Sequence, residues 1–183
     1  MKKFFFIILI FSFNSQAFSS NKENIIQNLK DIRNIKFDFE QNINGKTEQG
    51  MCVIEYSLKI NCKYNNANKK ILISNGKSLV IKNNAGSYYL YPIEKTVLNY
   101  ILDKNFIISE IKKAEERVID NKFINYTFFK DENEINIFFD NKNYNLIGWQ
   151  TLDIYQNLNI TYLSSIIKNQ KLKKNLFKIP LQD

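Results

Sequence analysis

Apolar and polar residues alternate along most of the chain. In the stretch IKFDFE, Ile35, Phe37 and Phe39 alternate with charged residues, which is typical of a β-strand with one buried and one solvated face. The same period of two returns in several later stretches, separated by short turns rich in Asn, Gly and Asp. The pattern predicts eleven strands, near residues 35–42, 50–56, 59–66, 70–75, 78–83, 87–92, 116–121, 123–130, 134–140, 144–154 and 158–166.

Three other stretches have helical spacing. Ser20 to Glu23 reads as a capping box, and the apolar residues after it recur on one helical face, which predicts a helix over 21–33. A short helix is predicted over 96–102 with Thr96 as its N-cap, and a weaker one over 107–114. No linker or repeat divides the chain. We therefore predict a mainly β (α+β) domain in which a strongly curved antiparallel sheet forms a barrel or an unclosed half-barrel, with helices over its concave face.

The sequence Asn75-Gly76-Lys77-Ser78 has two interpretations. Gly-Lys-Ser ends the phosphate-binding loop of nucleotide-binding proteins, but that motif needs a second glycine five residues before Gly76, where this chain has Ile71. Asn-Gly between two apolar runs is instead typical of a β-hairpin with a type I′ turn, in which both residues have positive φ. The hairpin is predicted, and a nucleotide-binding loop is excluded.

The first residues have the layout of a secretory signal peptide. Lys2 and Lys3 precede an apolar run over 4–13, and small residues follow, so cleavage after Ala17 or Ser19 is expected. The apolar run is shorter than the roughly 20 residues that span a bilayer. No cysteine follows the cleavage site to carry a lipid anchor. We predict a signal peptide over 1–19 and an exported mature domain over 20–183.

Two cysteines, Cys52 and Cys62, lie in the stretch GMCVIEYSLKINCKY. If a hairpin is centred between them, they face each other across a β-ladder, where directly opposed Cα atoms are close enough for a disulfide. Two buried free cysteines are the alternative, and we predict the disulfide because export places the protein in an oxidising compartment. Two cysteines without any histidine are too few for a zinc site, so no metal is expected.

The composition leaves few catalytic mechanisms. The absence of histidine excludes Ser-His and Cys-His catalysis, and the acidic pairs, such as Asp38 with Glu40, fall on predicted strand exteriors and turns. The net charge of +8 comes from scattered lysines, which indicates a solvated basic surface rather than a nucleic-acid site. We expect no enzymatic activity, no cofactor and no nucleic-acid partner. The surplus of large apolar positions favours a cavity for an apolar ligand.

Four stretches, taken in order, resemble the periplasmic outer-membrane lipoprotein carrier family, LolA. IKFDFEQ resembles the first strand of that family, and GMCVIEYSLKINCKY resembles its glycine-led hairpin. ILISNGKSLVIKNNAGSYYLYPIEKTVLNYILD resembles the segment in which an Asn-Gly turn, a Tyr-Pro pair and a lid helix follow one another. LIGWQTLDIYQNLNITYLSSIIKNQKLKKNLFKIP resembles the C-terminal hairpin, and together the four stretches span nearly the whole mature chain.

The resemblance implies an unclosed half-barrel of eleven strands and a periplasmic location. It also implies a monomer that collects acylated lipoproteins from an inner-membrane ABC-type lipoprotein-releasing complex and passes them to an outer-membrane receptor lipoprotein. The positions that it assigns to the lipid-binding cavity and its lid are Phe37, Phe39, Ile54, Ile60, Cys62, Leu98, Ile101, Leu102 and Trp149.

The chain departs from the family at one position. The family commonly has an Arg-Pro pair in the hairpin, whose arginine holds the lid shut, and this chain has Tyr56-Ser57 there. Tyr56 offers a single hydroxyl in place of a fork of charged donors, so a weaker latch is expected. The alternatives are a LolA-fold lipid binder or an envelope-stress sensor with a different cargo, and a secreted hydrolase is a third class.

Overall fold

The strands form a single antiparallel sheet. A computed structural model of the chain describes residues 19–152 and 157–182. Its strands are β1 (Asn34–Ile43), β2 (Lys46–Glu55), β3 (Lys59–Tyr64), β4 (Ile71–Asn75), β5 (Ser78–Lys82), β6 (Tyr88–Pro92), β7 (Arg117–Ile119), β8 (Phe123–Lys130), β9 (Asn133–Asp140), β10 (Leu146–Leu152) and β11 (Leu158–Lys168). Their order in the sheet is β6-β5-β4-β3-β2-β1-β11-β10-β9-β8-β7. The sheet is not closed, because β6 and β7 are its two edges.

In the described part of the chain, three α-helices accompany the sheet: α1 (Asn21–Asp31), α2 (Leu98–Ile101) and α3 (Lys104–Lys113). The predicted capping box starts α1, since the Ser20 hydroxyl accepts from the Glu23 backbone N–H and the Glu23 carboxylate accepts from the Ser20 N–H. A 3-10 turn over Ile93–Lys95 precedes α2. Asp103 caps α3 by accepting from two backbone N–H groups, which starts this helix three residues before the predicted stretch.

The predicted fold class is confirmed, while two local predictions were wrong. Thr96 does not cap α2, because its hydroxyl donates to the carbonyl of Ile93 and so closes the preceding 3-10 turn. The hairpin between β4 and β5 is present, but of its residues only Gly76 has positive φ, at 94°. A type I′ turn is therefore absent there, and the Asn75 side chain instead accepts from the backbone N–H groups of Lys77 and Ser78.

The core lies between the concave face of the sheet and the helices. Apolar side chains from α1 and α3, such as Leu29 and Ile107, pack against the inward-facing residues of the strands. Tyr126, Phe37 and Phe139 are the largest side chains among those that are fully buried. Within the described ranges, no helix is long and apolar enough to cross a membrane. The predicted signal peptide lies outside the described residues, apart from Ser19.

Residues 170–182, which we call the C-terminal strap, lie on the outer face of β3 to β6. The Asn61 amide donates to the carbonyl of Leu176 at 2.6 Å, and the Tyr88 hydroxyl donates to that of Pro180 at 3.1 Å. Ile73 and Val80 also face outward and are nevertheless buried. The strap thus gives this half of the sheet a second, smaller apolar layer.

Candidate functional site

A cavity of about 290 Å³ lies between the concave face of the sheet and the segment 96–102, which we call the lid. Strands β1 to β5 supply one side of the cavity, β10 and β11 supply another, and α2 covers it. Six of the nine predicted positions line it: Phe39, Ile60, Cys62, Leu98, Ile101 and Trp149. The structure therefore brings together residues that are up to 110 positions apart in the chain, from Phe39 to Trp149.

The other three predicted positions do not line the cavity. Phe37, Ile54 and Leu102 are almost completely buried in the core. Phe37 packs edge-on against Trp149, with ring centroids 6.4 Å apart, and so supports the cavity wall from behind. Around these three positions, core side chains fill the concave face, whereas the cavity lies beneath the lid.

Part of the lining was not predicted from the sequence. Five further aliphatic side chains contact the cavity: Ile43, Leu72, Leu79, Ile81 and Val97. The period of two offered a way to find Ile43, since it continues the inward series of Phe37 and Phe39 along β1. The strand β4 gives no such signal, because the sequence ILIS is apolar on both faces.

The glycine at position 50 shapes the floor of the cavity. A Cβ atom there would lie 2.7 Å from the Phe39 ring and 2.1 Å from the carbonyl oxygen of Lys63. Without one, the Phe39 ring rests on β2 and meets the Tyr64 ring at a centroid distance of 4.9 Å. Next to it, Cys52 and Cys62 are directly opposite in the β2–β3 ladder and form the predicted disulfide.

One end of the cavity carries a network of polar side chains, which we call the polar rim. The Gln41 amide donates to Asn159 Oδ1 at 3.0 Å and to Thr161 Oγ1 at 3.2 Å, and its oxygen accepts from the Tyr64 hydroxyl at 3.3 Å. The Lys70 ammonium lies 3.9 Å from the centre of the Tyr64 ring. Burial, with Glu48 nearby, raises the pKa of the Tyr64 hydroxyl, which therefore remains a neutral donor.

Lys70 is also paired with Glu48, and both side chains are largely covered. The Glu48 carboxylate neutralises the positive charge of Lys70 at the polar rim. Among the described residues that line the cavity, Lys70 is the only charged one. The cavity is therefore amphipathic, with an apolar body and a hydrogen-bonding end. Such an arrangement suits an amphiphile whose chain is apolar and whose head group is polar.

The lid is attached to the rest of the molecule at both sides. On one side, the backbone N–H of Leu58, in the β2–β3 turn, donates to the carbonyl of Leu102 at 3.1 Å. On the other side, the Tyr100 hydroxyl donates to the carboxylate of Asp131 in the β8–β9 turn. Ile101 is buried in the core beneath these attachments. The described conformation is thus a closed one.

Tyr56, to which the sequence resemblance assigns the place of the family's arginine, makes no side-chain hydrogen bond to any described residue. Its ring packs against the core, and burial raises the pKa of its hydroxyl. The Lys104 ammonium lies 5.9 Å from the ring centre and donates to the carbonyls of Lys30 and Ile32. The cation at this junction is therefore supplied by α3, and it joins α3 to the end of α1.

The described residues that line the cavity include no histidine, aspartate or glutamate. Within 19–152 and 157–182, no cluster of His, Cys, Asp or Glu side chains could hold a metal ion. The cavity volume of about 290 Å³ is at the lower end of the roughly 300–1,000 Å³ range of small-molecule sites.

The sequence model of the family "outer membrane lipoprotein carrier protein LolA" matches residues 30–180. The chain belongs to the LolA family. The matched residues contain the whole sheet, the lid and most of the strap, so the cavity lies within the LolA part of the chain. No curated protein matches the sequence of this LolA-family protein significantly.

Solved structures with a similar course of the chain are distant from this LolA-family protein in sequence. A LolA superfamily protein from Nitrosomonas europaea is 7% identical, with a TM-score of 0.45 over 88% of this chain and 99% of its own. The lipoprotein LppX from Mycobacterium tuberculosis is 10% identical, with a TM-score of 0.41 over 89% and 96% of the two chains. A third structure is the complex of Pseudomonas aeruginosa MucA with MucB. It is 7% identical, with a TM-score of 0.41 over 88% of this chain and 62% of its own.

Proposed function

We propose that this protein is a periplasmic carrier that binds the acyl chains of lipoproteins in the cavity beneath the lid and shuttles them from the inner to the outer membrane. The observation that carries the proposal is an amphipathic cavity under a closable lid in a chain of the LolA family. Binding and release change no covalent bond, so the function requires no catalytic group and no cofactor.

The lid makes the binding reversible. Each methylene that leaves water for the cavity contributes about 0.8 kcal/mol, and several long chains together would gain more than a transient carrier can release. In the closed form, Leu98 and Ile101 occupy the surface that the chains would cover. Acyl chains must displace these side chains, and lid closure therefore offsets part of the binding free energy.

The polar rim would receive the head of the ligand. Gln41, Thr161 and Tyr64 can exchange hydrogen bonds among themselves for bonds to the amide and ester groups at the acylated N-terminus of a lipoprotein. The protein part of the cargo then stays outside. In this proposal the donor is the inner-membrane ABC-type lipoprotein-releasing complex, the acceptor is the outer-membrane receptor lipoprotein, and the carrier is a monomer.

A second candidate function is the binding of a lipid with one chain, either as its carrier or as an envelope sensor. The observation in its favour is the small volume of the cavity beneath the lid, about 290 Å³, which is at the lower end of the roughly 300–1,000 Å³ range of small-molecule sites and suits one chain better than the several chains of a lipoprotein. In the first function the lid opens widely. In the second, the closed form is already the binding form.

The two functions are separated by what the protein carries. The protein should be exported in its own host, purified from the periplasm and analysed by mass spectrometry for bound lipids and lipoproteins. Depletion should, at the same time, leave lipoproteins in the inner membrane. Recovery of intact lipoproteins together with this stranding supports the carrier, whereas recovery of single-chain lipids with normal lipoprotein sorting supports the second function.

A further inference from the structure

The edge strand β6 carries an unusual group of exposed apolar side chains. Tyr89, Leu90 and Tyr91 are 53%, 58% and 43% exposed, and Leu181, at the end of the strap, is 83% exposed. Leu181 lies beside β6, because its carbonyl accepts from the Lys82 ammonium and the neighbouring Pro180 accepts from Tyr88. We call these four side chains the β6 surface. Strand β6 pairs with β5 along one edge, and its other edge has no neighbouring strand among the described residues.

The β6 surface is continuous with the cavity. Tyr89 and Tyr91 are the register partners of Ile81 and Leu79, which line the cavity, so the two tyrosines stand on the same face of the sheet. Leu90 is the partner of Val80 and faces the strap on the other side. The β6 surface therefore wraps around the edge of the sheet, from the end of the cavity to the end of the strap.

The lysines are scattered along the sequence, but their excess over carboxylates falls in two segments near this edge. Residues 69–102 and 170–182 contain nine lysines and one carboxylate, Glu94. The remaining mature residues up to 182 contain fifteen basic and sixteen acidic side chains. The two lysine-rich segments lie together, because the strap packs on the outer face of β3 to β6. Lys77 and Lys95 lie at the same end of the β5–β6 ladder, beside the pair of Ser78 with Pro92, and both are exposed.

The β6 surface combines tyrosine rings, exposed leucines and nearby lysines. This combination is typical of a protein surface that binds an anionic membrane. Tyrosine rings are favoured at the level of the lipid head groups, and each lysine near an anionic surface increases binding roughly fivefold. We propose that the β6 surface docks on an anionic lipid bilayer. A peptide that paired with the edge strand would explain the apolar side chains but not the surplus of lysines.

Docking in this orientation brings the β6 end of the cavity to the bilayer. An acyl chain that leaves the membrane would then pass the tyrosine rings before it reaches Ile81 and Leu79. The inference goes beyond the proposed function, because the β6 surface binds a bilayer whether or not the cavity takes lipoproteins. Its test accordingly needs no cargo.

The test is vesicle flotation with the mature protein, residues 20–183. Vesicles of phosphatidylcholine with phosphatidylglycerol are compared with vesicles of phosphatidylcholine alone, at low and at high salt. We expect binding to the anionic vesicles that weakens with salt. The double variant Lys77→Gln/Lys95→Gln should bind roughly 25-fold more weakly. Its matched control is Lys122→Gln/Lys142→Gln, which removes two exposed lysines in the other part of the chain and should bind nearly as well as the original protein.

The apolar part is tested by Leu90→Ser with Tyr91→Ser, against Phe129→Ser as the control. Phe129 is 75% exposed on β8, far from β6 in the strand order, so its replacement should leave binding unchanged. Circular dichroism checks that each variant folds. The proposal is overturned if anionic vesicles do not bind the protein, or if both controls weaken binding as much as the β6 variants. It is also overturned if Leu90→Ser with Tyr91→Ser abolishes dimerisation, measured by sedimentation without vesicles, and leaves vesicle binding unchanged.

Discussion

The Tyr100 hydroxyl donates a hydrogen bond to the Asp131 carboxylate, which joins the lid to the β8–β9 turn. This bond raises the pKa of Tyr100 and holds the pKa of Asp131 below its usual range, with a further contribution from the neighbouring Lys130 ammonium. The bond is at the surface, so water can replace it when the lid opens. It is therefore suited to a closure that must be broken repeatedly.

Removal of the Tyr100 hydroxyl should loosen the lid. In Tyr100→Phe, the ring can keep its contact with Phe106, at a centroid distance of 5.1 Å, while the bond to Asp131 is lost. We expect amide hydrogen exchange in α2 to become roughly threefold faster, with exchange in β1 unchanged. The control is Tyr88→Phe, which loses a bond to the strap and should leave α2 unaffected. Equal exchange rates in both variants would refute the role of Tyr100.

Acid should open the lid before it unfolds the sheet. The pKa of Asp131 is lowered in the closed form, so its contribution to closure is present above the ordinary aspartate pKa of about 3.9 and is lost as pH falls through the lowered value. We expect exchange in α2, relative to β1, to rise only below about pH 4. In Asp131→Asn this relative rise should disappear. If it persists, another carboxylate is responsible.

The hydroxyl of Tyr56 should be dispensable, but its ring should not. Because the hydroxyl has no partner among the described residues, Tyr56→Phe should change the free energy of unfolding by less than about 0.5 kcal/mol. Tyr56→Ala should lower it by about 2–3 kcal/mol, since the ring is only partly buried. Urea denaturation measures both. A large effect of Tyr56→Phe on stability or on exchange in α2 would show that the hydroxyl is a latch after all.

A charge on the inner face of the lid should prevent loading. Leu98 lines the cavity, and in Leu98→Glu a carboxylate would have to be buried there or hold the lid away. We expect the affinity for a fluorescent acylated peptide to fall at least tenfold. Asn99→Glu adds the same charge one position along, where the side chain does not line the cavity, and should bind normally. Unchanged binding by Leu98→Glu would mean that acyl chains enter elsewhere.

The disulfide should stabilise the hairpin and the cavity floor. Cys52 and Cys62 are ten positions apart in the sequence, and the loop-entropy account gives a contribution on the order of 3 kcal/mol for a loop of this size. The double variant Cys52→Ala/Cys62→Ala should therefore unfold at a lower urea concentration. Thiol labelling of the unfolded, exported protein should detect no free thiol before reduction. Two reactive thiols would refute the bond in the exported protein.

The period of two was sufficient to predict the sheet, because one face of almost every strand is buried. It could not separate cavity from core. Ile54 and Ile60 are directly opposite in the β2–β3 ladder and have the same environment in the sequence pattern, yet only Ile60 lines the cavity. The difference depends on where the lid lies, and that position is fixed by contacts with distant residues such as Asp131.

Polar residues at inward positions were harder to interpret. Gln41 falls in the inward series of β1, but a glutamine there can equally mark the end of a strand. Its partners Asn159 and Thr161 are more than 100 residues away, so only the fold reveals the polar rim. The strap was unpredictable for a similar reason: it has no helix or strand in the structure, and its contacts with Asn61 and Tyr88 leave no periodic pattern.

The strand order has a consequence for how the chain folds. Strands β1 to β6 pair with their neighbours in sequence, and so do β7 to β11, but the two groups are joined by β1 with β11, where Ile35 is opposite Lys168. The two local meanders can form early because their loops are short, whereas the joining ladder requires closure of a loop of more than 100 residues. During synthesis, the N-terminal meander emerges first and must wait for β11 with the edge of β1 uncovered. In that interval the nascent chain is most exposed to aggregation, and the rate of the last pairing determines how long it lasts.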